Sequence, residues 1–390
     1  MSIFVGPHHT DDTYRFEAVD EADGDQERVK EAIYSGIDPL MVHSFPEIYG
    51  ENNGTGVRVL ILEPDGVPPM PNAPESNFEY NDSGDFFHGL GIASILYDAA
   101  RGADVFGRVF QSSPDAYREI RTITPRVVCM AMGYGEGHFL QTFDDRNFLH
   151  MLRLCKDVLF VMSAGNDASG DGFLRGNTRF GSDNVIMCVA VDVRNVIRQD
   201  AITPDKGGVM ETTVAVMGSD VEVVLPNHET YMMGGSSPAA PVVTGLAAII
   251  ISAHPTFTVP QVMECILQST RRTFFQPDDS GGGTWVCATA DEARRRAAVG
   301  VKTVVFDPNT YGRGILDAER AILYANLLSA GQTNRFEHEA SEKETKAKHV
   351  IRGAMVRRKF IIDHKTWKDP HNGTRHPVRK DPATGRLVFV

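Results

Sequence analysis

Long apolar runs are missing from this sequence of 390 residues, and their absence limits what the protein can be. No stretch approaches the roughly 18 consecutive apolar residues that a membrane-spanning helix needs. Residues 1–12 have neither the basic start nor the apolar centre of a secretory signal peptide. The sequence therefore predicts a cytoplasmic protein that has no membrane partner.

Cysteine is scarce, and its five residues show neither CxxC nor CxxH spacing. This pattern is not typical of a zinc site or of a disulfide framework. Most of the cysteines lie in or beside apolar runs, so we expect reduced, buried thiols. No cluster of metal-ligating residues is visible either, and we predict that no metal or cofactor is required. The five cysteines are Cys129, Cys155, Cys188, Cys265 and Cys287.

The net charge of −12 conceals a strong asymmetry along the chain. Residues 331–390 carry 14 Lys or Arg against 7 Asp or Glu, which leaves a net charge of −19 on residues 1–330. An acidic body of this size argues against general binding of nucleic acid. The basic tail could lie on the acidic body or recruit an acidic protein partner.

The order of strand and helix signals predicts three parts: an acidic N-terminal extension (1–36), a main domain (37–330) and a basic C-terminal extension (331–390). Within the main domain, continuous apolar strands alternate with helices, a pattern typical of a parallel sheet covered on both faces. We therefore expect a three-layer α/β domain whose site lies at the carboxyl ends of the strands. The predicted elements are Val57–Leu62, Gly89–Ala100, Arg126–Met132, Phe143–Lys156, Val158–Met162, Val185–Val191 and Pro238–Ala253.

A last helix, Ile315–Leu328, is predicted to close the main domain. The tail beyond it contains a charged, helix-permissive run from Glu337 to Lys348 and two turn signals, at Asn372-Gly373 and from Asp381 to Gly385. Strands on either side of these turns would make the tail a small folded appendage.

Chemistry is first suggested by Ser237, which stands just before a proline where a loop becomes a long apolar helix. A hydroxyl there lies at the positive end of the helix dipole, where a nucleophile that attacks a carbonyl is favoured. A serine that only caps the helix is the alternative interpretation.

Two further residues become candidates for a catalytic role because Ser237 is present in the same chain. His88 opens a helix rich in small residues, and close packing of that helix would hold the imidazole as a general base needs. Asn166 follows an apolar strand and could donate its side-chain amide to a developing oxyanion. Taken singly, a satisfied polar histidine and an ordinary turn asparagine would explain them.

Together these segments resemble the subtilase family of serine proteases. The family's Gly-Thr-Ser-x-Ala-x-Pro pattern corresponds to Gly235–Pro241. Its His-Gly-Thr-His pattern corresponds to His88–Gly91, which keeps the first His and Gly but not the following Thr and His. Its Ala-Ala-Gly-Asn pattern stands as Ser163–Asn166. Residues Arg126–Gly133 resemble the family's strand that pairs with bound peptide, and Tyr311–Ala318 resemble the entry to its last helix. The resemblance spans about residues 37–328.

The resemblance implies a subtilisin-like fold and a serine endopeptidase that hydrolyses polypeptides through an acyl-enzyme. Ser237 would be the nucleophile, His88 its general base and Asn166 an oxyanion donor. Subtilases often bind structural calcium, although no ligand set can be assigned here. The backbone expected to bind an extended substrate is that of Ala131, Met132 and Gly133.

The triad acid is where the chain departs from the family, whose first strand ends in Asp followed by Thr or Ser and then Gly. Here the strand is followed by Glu63-Pro64-Asp65-Gly66. Alignment without a gap selects Glu63, and a shift of two residues selects Asp65. We predict Glu63, because it directly follows the buried strand whereas Asp65 lies beyond a proline in a turn.

Two other functions compete with the peptidase. An α/β-hydrolase esterase would need Gly-x-Ser-x-Gly and the order Ser, acid, His, neither of which is present. A pseudoprotease that keeps the fold as a protein-binding module is favoured by the altered acid motif. Retention of Ser237, His88 and Asn166 together opposes it.

Overall fold

Six parallel strands form the central sheet of the structure, a computed structural model. It describes residues 53–70, 74–81, 87–132, 145–166, 182–192, 194–204, 210–219, 221–224, 230–277, 283–341, 366–368, 375–380 and 387–389. The sheet has the strand order β2-β1-β3-β4-β5-β6. The strands are β1 (Arg58–Glu63), β2 (Asp104–Val109), β3 (Val127–Met130), β4 (Leu159–Ser163), β5 (Val185–Val191) and β6 (Thr213–Met217).

Helices cover both faces of this sheet because side chains alternate between the faces along each strand. On one face, Ile61 and Val161 pack with helices α1 (Phe87–Ala99) and α4 (Ala239–Ala253) in the larger core. On the other, Leu60 and Phe160 pack with α2 (Ser113–Ile123) and α3 (Asp145–Leu154). The predicted α/β class and the parallel sheet between two helical layers are confirmed.

The predicted elements agree with the observed ones to within a few residues, and Val185–Val191 agrees at both ends. Among the six strands of the central sheet and the four helices α1–α4 that cover it, β2, α2 and β6 were not predicted. Strand β2 is an edge strand, and its exposed residues alternate with buried ones, so it lacks the continuous apolar run of the central strands.

Smaller elements complete the larger part of the chain. Strands β7 (Val221–Val224) and β8 (Thr230–Met233) pair antiparallel just before α4. A three-stranded sheet has the order β11-β10-β9. The remaining elements are α5 (Val259–Gln268), β9 (Phe274–Pro277), β10 (Gly283–Cys287), α6 (Ala290–Ala297), β11 (Thr303–Val305), α7 (Pro308–Tyr311) and α8 (Ala318–Ser329).

The chain divides into two compact units between Gly331 and Gln332. The second unit is helical at 336–341 and contains β12 (Thr366–Lys368), β13 (Arg375–Lys380) and β14 (Leu387–Phe389), in which β13 pairs antiparallel with both neighbours. Strands therefore flank both turn signals, whose own residues lie outside the described ones. The acidic extension, residues 1–36, also lies outside them.

Among the described residues, none of the helices combines the length and the apolar character that a membrane crossing requires. The cytoplasmic location stays a prediction.

Candidate active site

Residues predicted to form the site lie together at the carboxyl edge of the sheet. Glu63 ends β1, Met132 follows β3 and Asn166 follows β4. From β1 the chain passes to β2 on one side, and it then crosses to β3 on the other side of β1. Open α/β sheets bind their ligands at such a point, where the strand order reverses.

Glu63 and His88 are in direct contact at this edge. Glu63 Oε2 lies 2.8 Å from His88 Nδ1, and the Glu63 side chain is 3% exposed against 16% for His88. An ionised carboxylate can only accept, so the imidazole donates its Nδ1–H and presents Nε2 as the basic nitrogen. The pair thus has the arrangement of an acid that orients a general base.

The backbone explains why these two residues meet. Helix α1 begins against the turn that follows β1, where Gly66 N donates to Glu63 O at 3.1 Å. A Cβ on Gly89 would overlap the Gly66 carbonyl oxygen, so only glycine permits this approach directly after His88. Asp65, the other candidate acid, lies in that turn and is partly exposed, and its carbonyl accepts from Asn81 N at 3.0 Å.

Asn166 is held in one orientation by Ser236. Its Oδ1 accepts from Ser236 N at 2.7 Å and from Ser236 Oγ at 3.0 Å, while Ser236 Oγ accepts from Gly165 N at 3.0 Å. Two donors on Oδ1 fix which end of the carboxamide is oxygen. The Nδ2 end is therefore presented as a donor on the opposite side.

Ser237 lies two residues before α4, whose N-cap residue is Pro238, and it is 4% exposed. Gly235, two residues earlier, has φ 109°, and a Cβ on it would lie 2.5 Å from Asn166 Nδ2. The left-handed backbone and this close approach both require glycine. Helices α1 and α4 pack against each other, and both begin at the carboxyl edge, so the structure brings His88 and Ser237 to the same edge.

Of the backbone predicted to bind substrate, Ala131 and Met132 follow β3 at this edge, and Gly133 lies outside the described residues. Both described side chains are buried, which leaves main-chain groups as their means of contact. The Met132 carbonyl accepts from Ser163 Oγ at 3.2 Å. Ser163 stands where the family pattern has alanine, so this hydrogen bond has no counterpart in the pattern.

Cys129, a thiol that senses the charge of Glu63, is unsuited to nucleophilic chemistry. The pKa of Cys129 is raised to about 12, mainly by burial; a hydrogen bond with Thr244 acts in the opposite direction, and the Glu63 carboxylate acts in the same direction as burial. The thiol stays protonated at neutral pH, and only a thiolate is a competent nucleophile. All five cysteines lie in described parts of the chain and are buried without a disulfide, as predicted.

Within the described parts of the chain, no group of three or more His, Cys, Asp or Glu side chains could hold a metal ion. The absence of a required cofactor stays a prediction.

Sequence reasoning missed the part that Ser236 plays. Ser236 lies within the Gly235–Pro241 motif, but its contact with Asn166 joins residues 70 positions apart. The available signal was the family pattern itself, which has another hydroxyl residue, threonine, at this position.

Comparison with protein families matches residues 71–285 to the subtilase family. The matched region contains His88, Asn166 and Ser237, and it begins after Glu63. A comparison with curated proteins gives no match.

Several solved structures are distantly similar. The prenylagaramide maturation protease PagA is 17% identical, with 72% of this chain and 98% of that chain covered at a TM-score of 0.49. The MycP3 protease from the type VII (ESX-3) secretion system is 16% identical, with 74% and 89% covered at 0.49. A serine protease of Aeromonas sobria is 14% identical, with 70% and 61% covered at 0.48. Likenesses this distant carry no argument about function.

Proposed function

Because the chain belongs to the subtilase family, we propose that it is a serine endopeptidase acting through Glu63, His88 and Ser237. Family and fold support a serine protease in general. The finer assignment rests on the contact between Glu63 Oε2 and His88 Nδ1 at 2.8 Å, at the edge where the helix after Ser237 begins. A histidine that merely filled space would not need a buried carboxylate on this nitrogen.

In the proposed reaction, His88 Nε2 takes the proton of Ser237 while the serine oxygen attacks the carbonyl of the scissile peptide bond. The imidazolium that forms is stabilised by the Glu63 carboxylate, which remains ionised. His88 then gives the proton to the leaving amine, and the acyl-enzyme is left on Ser237. Water, activated by the same nitrogen, hydrolyses that ester and restores the serine.

Asn166 Nδ2 and the backbone N–H of Ser237 are the proposed oxyanion donors. Asn166 need not reorganise during the reaction, because Ser236 already fixes its Oδ1. Preorganised donors of this kind stabilise the transition state more than the ground state.

Covalent labelling tests the proposal against the binding-module alternative. The purified protein should react with a fluorophosphonate, and mass spectrometry of the digest should place the adduct on Ser237. Failure to label, together with no cleavage of denatured casein, would favour the protein-binding module.

Asn166→Ala should lower kcat by about 10²- to 10³-fold with little change in KM, because an oxyanion donor acts mainly in the transition state. Steady-state kinetics on one fluorogenic peptide measures both constants. The variant should still be labelled by the fluorophosphonate, although more slowly. An unchanged kcat would make Asn166 an ordinary turn residue.

Ser236→Ala should lower kcat by about 3- to 10-fold, the equivalent of losing one neutral hydrogen bond on Asn166 Oδ1. The backbone donor at 2.7 Å remains and limits the loss. Ser236→Thr keeps the hydroxyl and should retain most of the activity. In an Asn166→Ala background the Ser236→Ala change should have no further effect on kcat, whereas a purely structural role would add its loss to both backgrounds.

A further inference from the structure

A guanidinium group lies against the loop that leads to Ser237. A Cβ built on Gly234, three residues before Ser237, would lie 2.9 Å from Arg198 Nη1. Gly234 is exposed, and the Arg198 side chain is 29% exposed. A partly exposed cation therefore lies close to the backbone that leads to the predicted nucleophile.

The orientation of this guanidinium is fixed. Arg198 Nε and Nη2 each donate to Asp200 at 2.9 Å, and Nη1 points to Ser219 Oγ at 3.4 Å. A bidentate pair sets the plane of an arginine. Here it turns the Nη1 side toward Gly234.

The segment that carries Arg198 is itself anchored to the site. Ile202 N donates to the Gly165 carbonyl at 3.1 Å, and the Ile202 side chain packs where a Cβ of Gly165 would lie. Gly165 immediately precedes the predicted oxyanion donor Asn166. Arg198 thus belongs to a loop that packs beside two parts of the predicted site: the segment before Ser237 and the segment before Asn166.

Distance limits which part of a substrate Arg198 could meet. Three residues of chain span at most about 10 Å, and an extended peptide advances about 3.3 Å per residue. A side chain that reaches Arg198 would then belong to a residue within three positions of the scissile bond.

From this geometry we infer that Arg198 recognises an acidic side chain, Asp or Glu, within three residues of the bond that is cut. The inference rests on the proposed function, because only a peptidase has a bond to cut. It adds which peptide sequences the site prefers. A carboxylate is the partner that a planar guanidinium binds best, and in a body with net charge −19 such a preference needs a local cation. Asp200 weakens the attraction and holds the cation in place.

The test measures binding as well as cleavage. A fluorescent peptide taken from a casein cleavage site, or from casein itself if none is cut, is made with Glu or Gln at each of six positions around its centre. Affinities are measured by anisotropy on the Ser237→Ala protein, with and without Arg198→Gln. At one position the Glu peptide should bind about tenfold more tightly than the Gln peptide, and Arg198→Gln should remove the difference.

Matched variants separate charge recognition from damage to the loop. Arg194 pairs with Asp192 across the same two-residue spacing, and Arg194→Gln should leave the preference intact. Equal affinities for Glu and Gln peptides at all six positions, or a preference that survives Arg198→Gln, would overturn the inference whether or not the wild type hydrolyses peptides. A preference lost in Arg198→Gln in a protein that hydrolyses nothing would instead support recognition and overturn only the proposed peptidase.

Discussion

Ser237→Ala should abolish peptide hydrolysis and fluorophosphonate labelling, with a fall in turnover of at least about 10⁴-fold. The change removes the one oxygen that can form the acyl-enzyme. It should leave the fold intact, because it removes a single oxygen atom and adds no bulk. That matters at Ser237, which precedes α4 and is only 4% exposed. Thermal unfolding followed by circular dichroism should give a Tm within a few degrees of the wild type.

The neighbouring serine provides the control for this variant. Ser236→Ala makes the same chemical change one residue earlier, and the hydroxyl it removes contacts Asn166. That variant should still be labelled and should lose only about 3- to 10-fold in turnover. If Ser237→Ala kept full activity, the nucleophile would have to be another residue and the mechanism would be wrong.

The fold could be predicted from the sequence where the physical signal is local. Continuous apolar runs such as Val185–Val191 belong to central strands that are buried on both faces, and the observed strand has the predicted ends. Short motifs placed Ser237 before a helix and His88 within the first turn of another. Parallel strands then bring such residues to one edge without any further signal.

Contacts between distant segments could not be predicted in this way. Strand β1 continues to Glu63 because Glu63 pairs with Val109 of β2, an edge strand whose own signal is weak. The bond from Ser236 to Asn166 and the approach of Arg198 to Gly234 likewise join residues far apart in sequence. Such proximity follows from the packed fold, and no local pattern records it.

Glu63→Gln should reduce turnover by about 10³- to 10⁴-fold, whereas Asp65→Asn should reduce it by less than about tenfold. Glu63 accepts the Nδ1–H of His88 at 2.8 Å from a position that is almost fully buried. A glutamine there has nearly the same shape but no charge, so it neither stabilises the imidazolium nor favours one tautomer. Asp65 lies in the following turn, partly exposed, where the loss of its charge is screened by water.

The ranking of these two variants decides between the two alignments of the acid motif. Steady-state kinetics should be accompanied by the rate of fluorophosphonate labelling, which depends on activation of Ser237 and does not require a peptide to bind. Both rates should fall together in Glu63→Gln. The opposite ranking would assign the acid to Asp65. Turnover and labelling rates that stay at the wild-type level in both variants would mean that neither carboxylate activates His88, and the proposed triad would then be wrong.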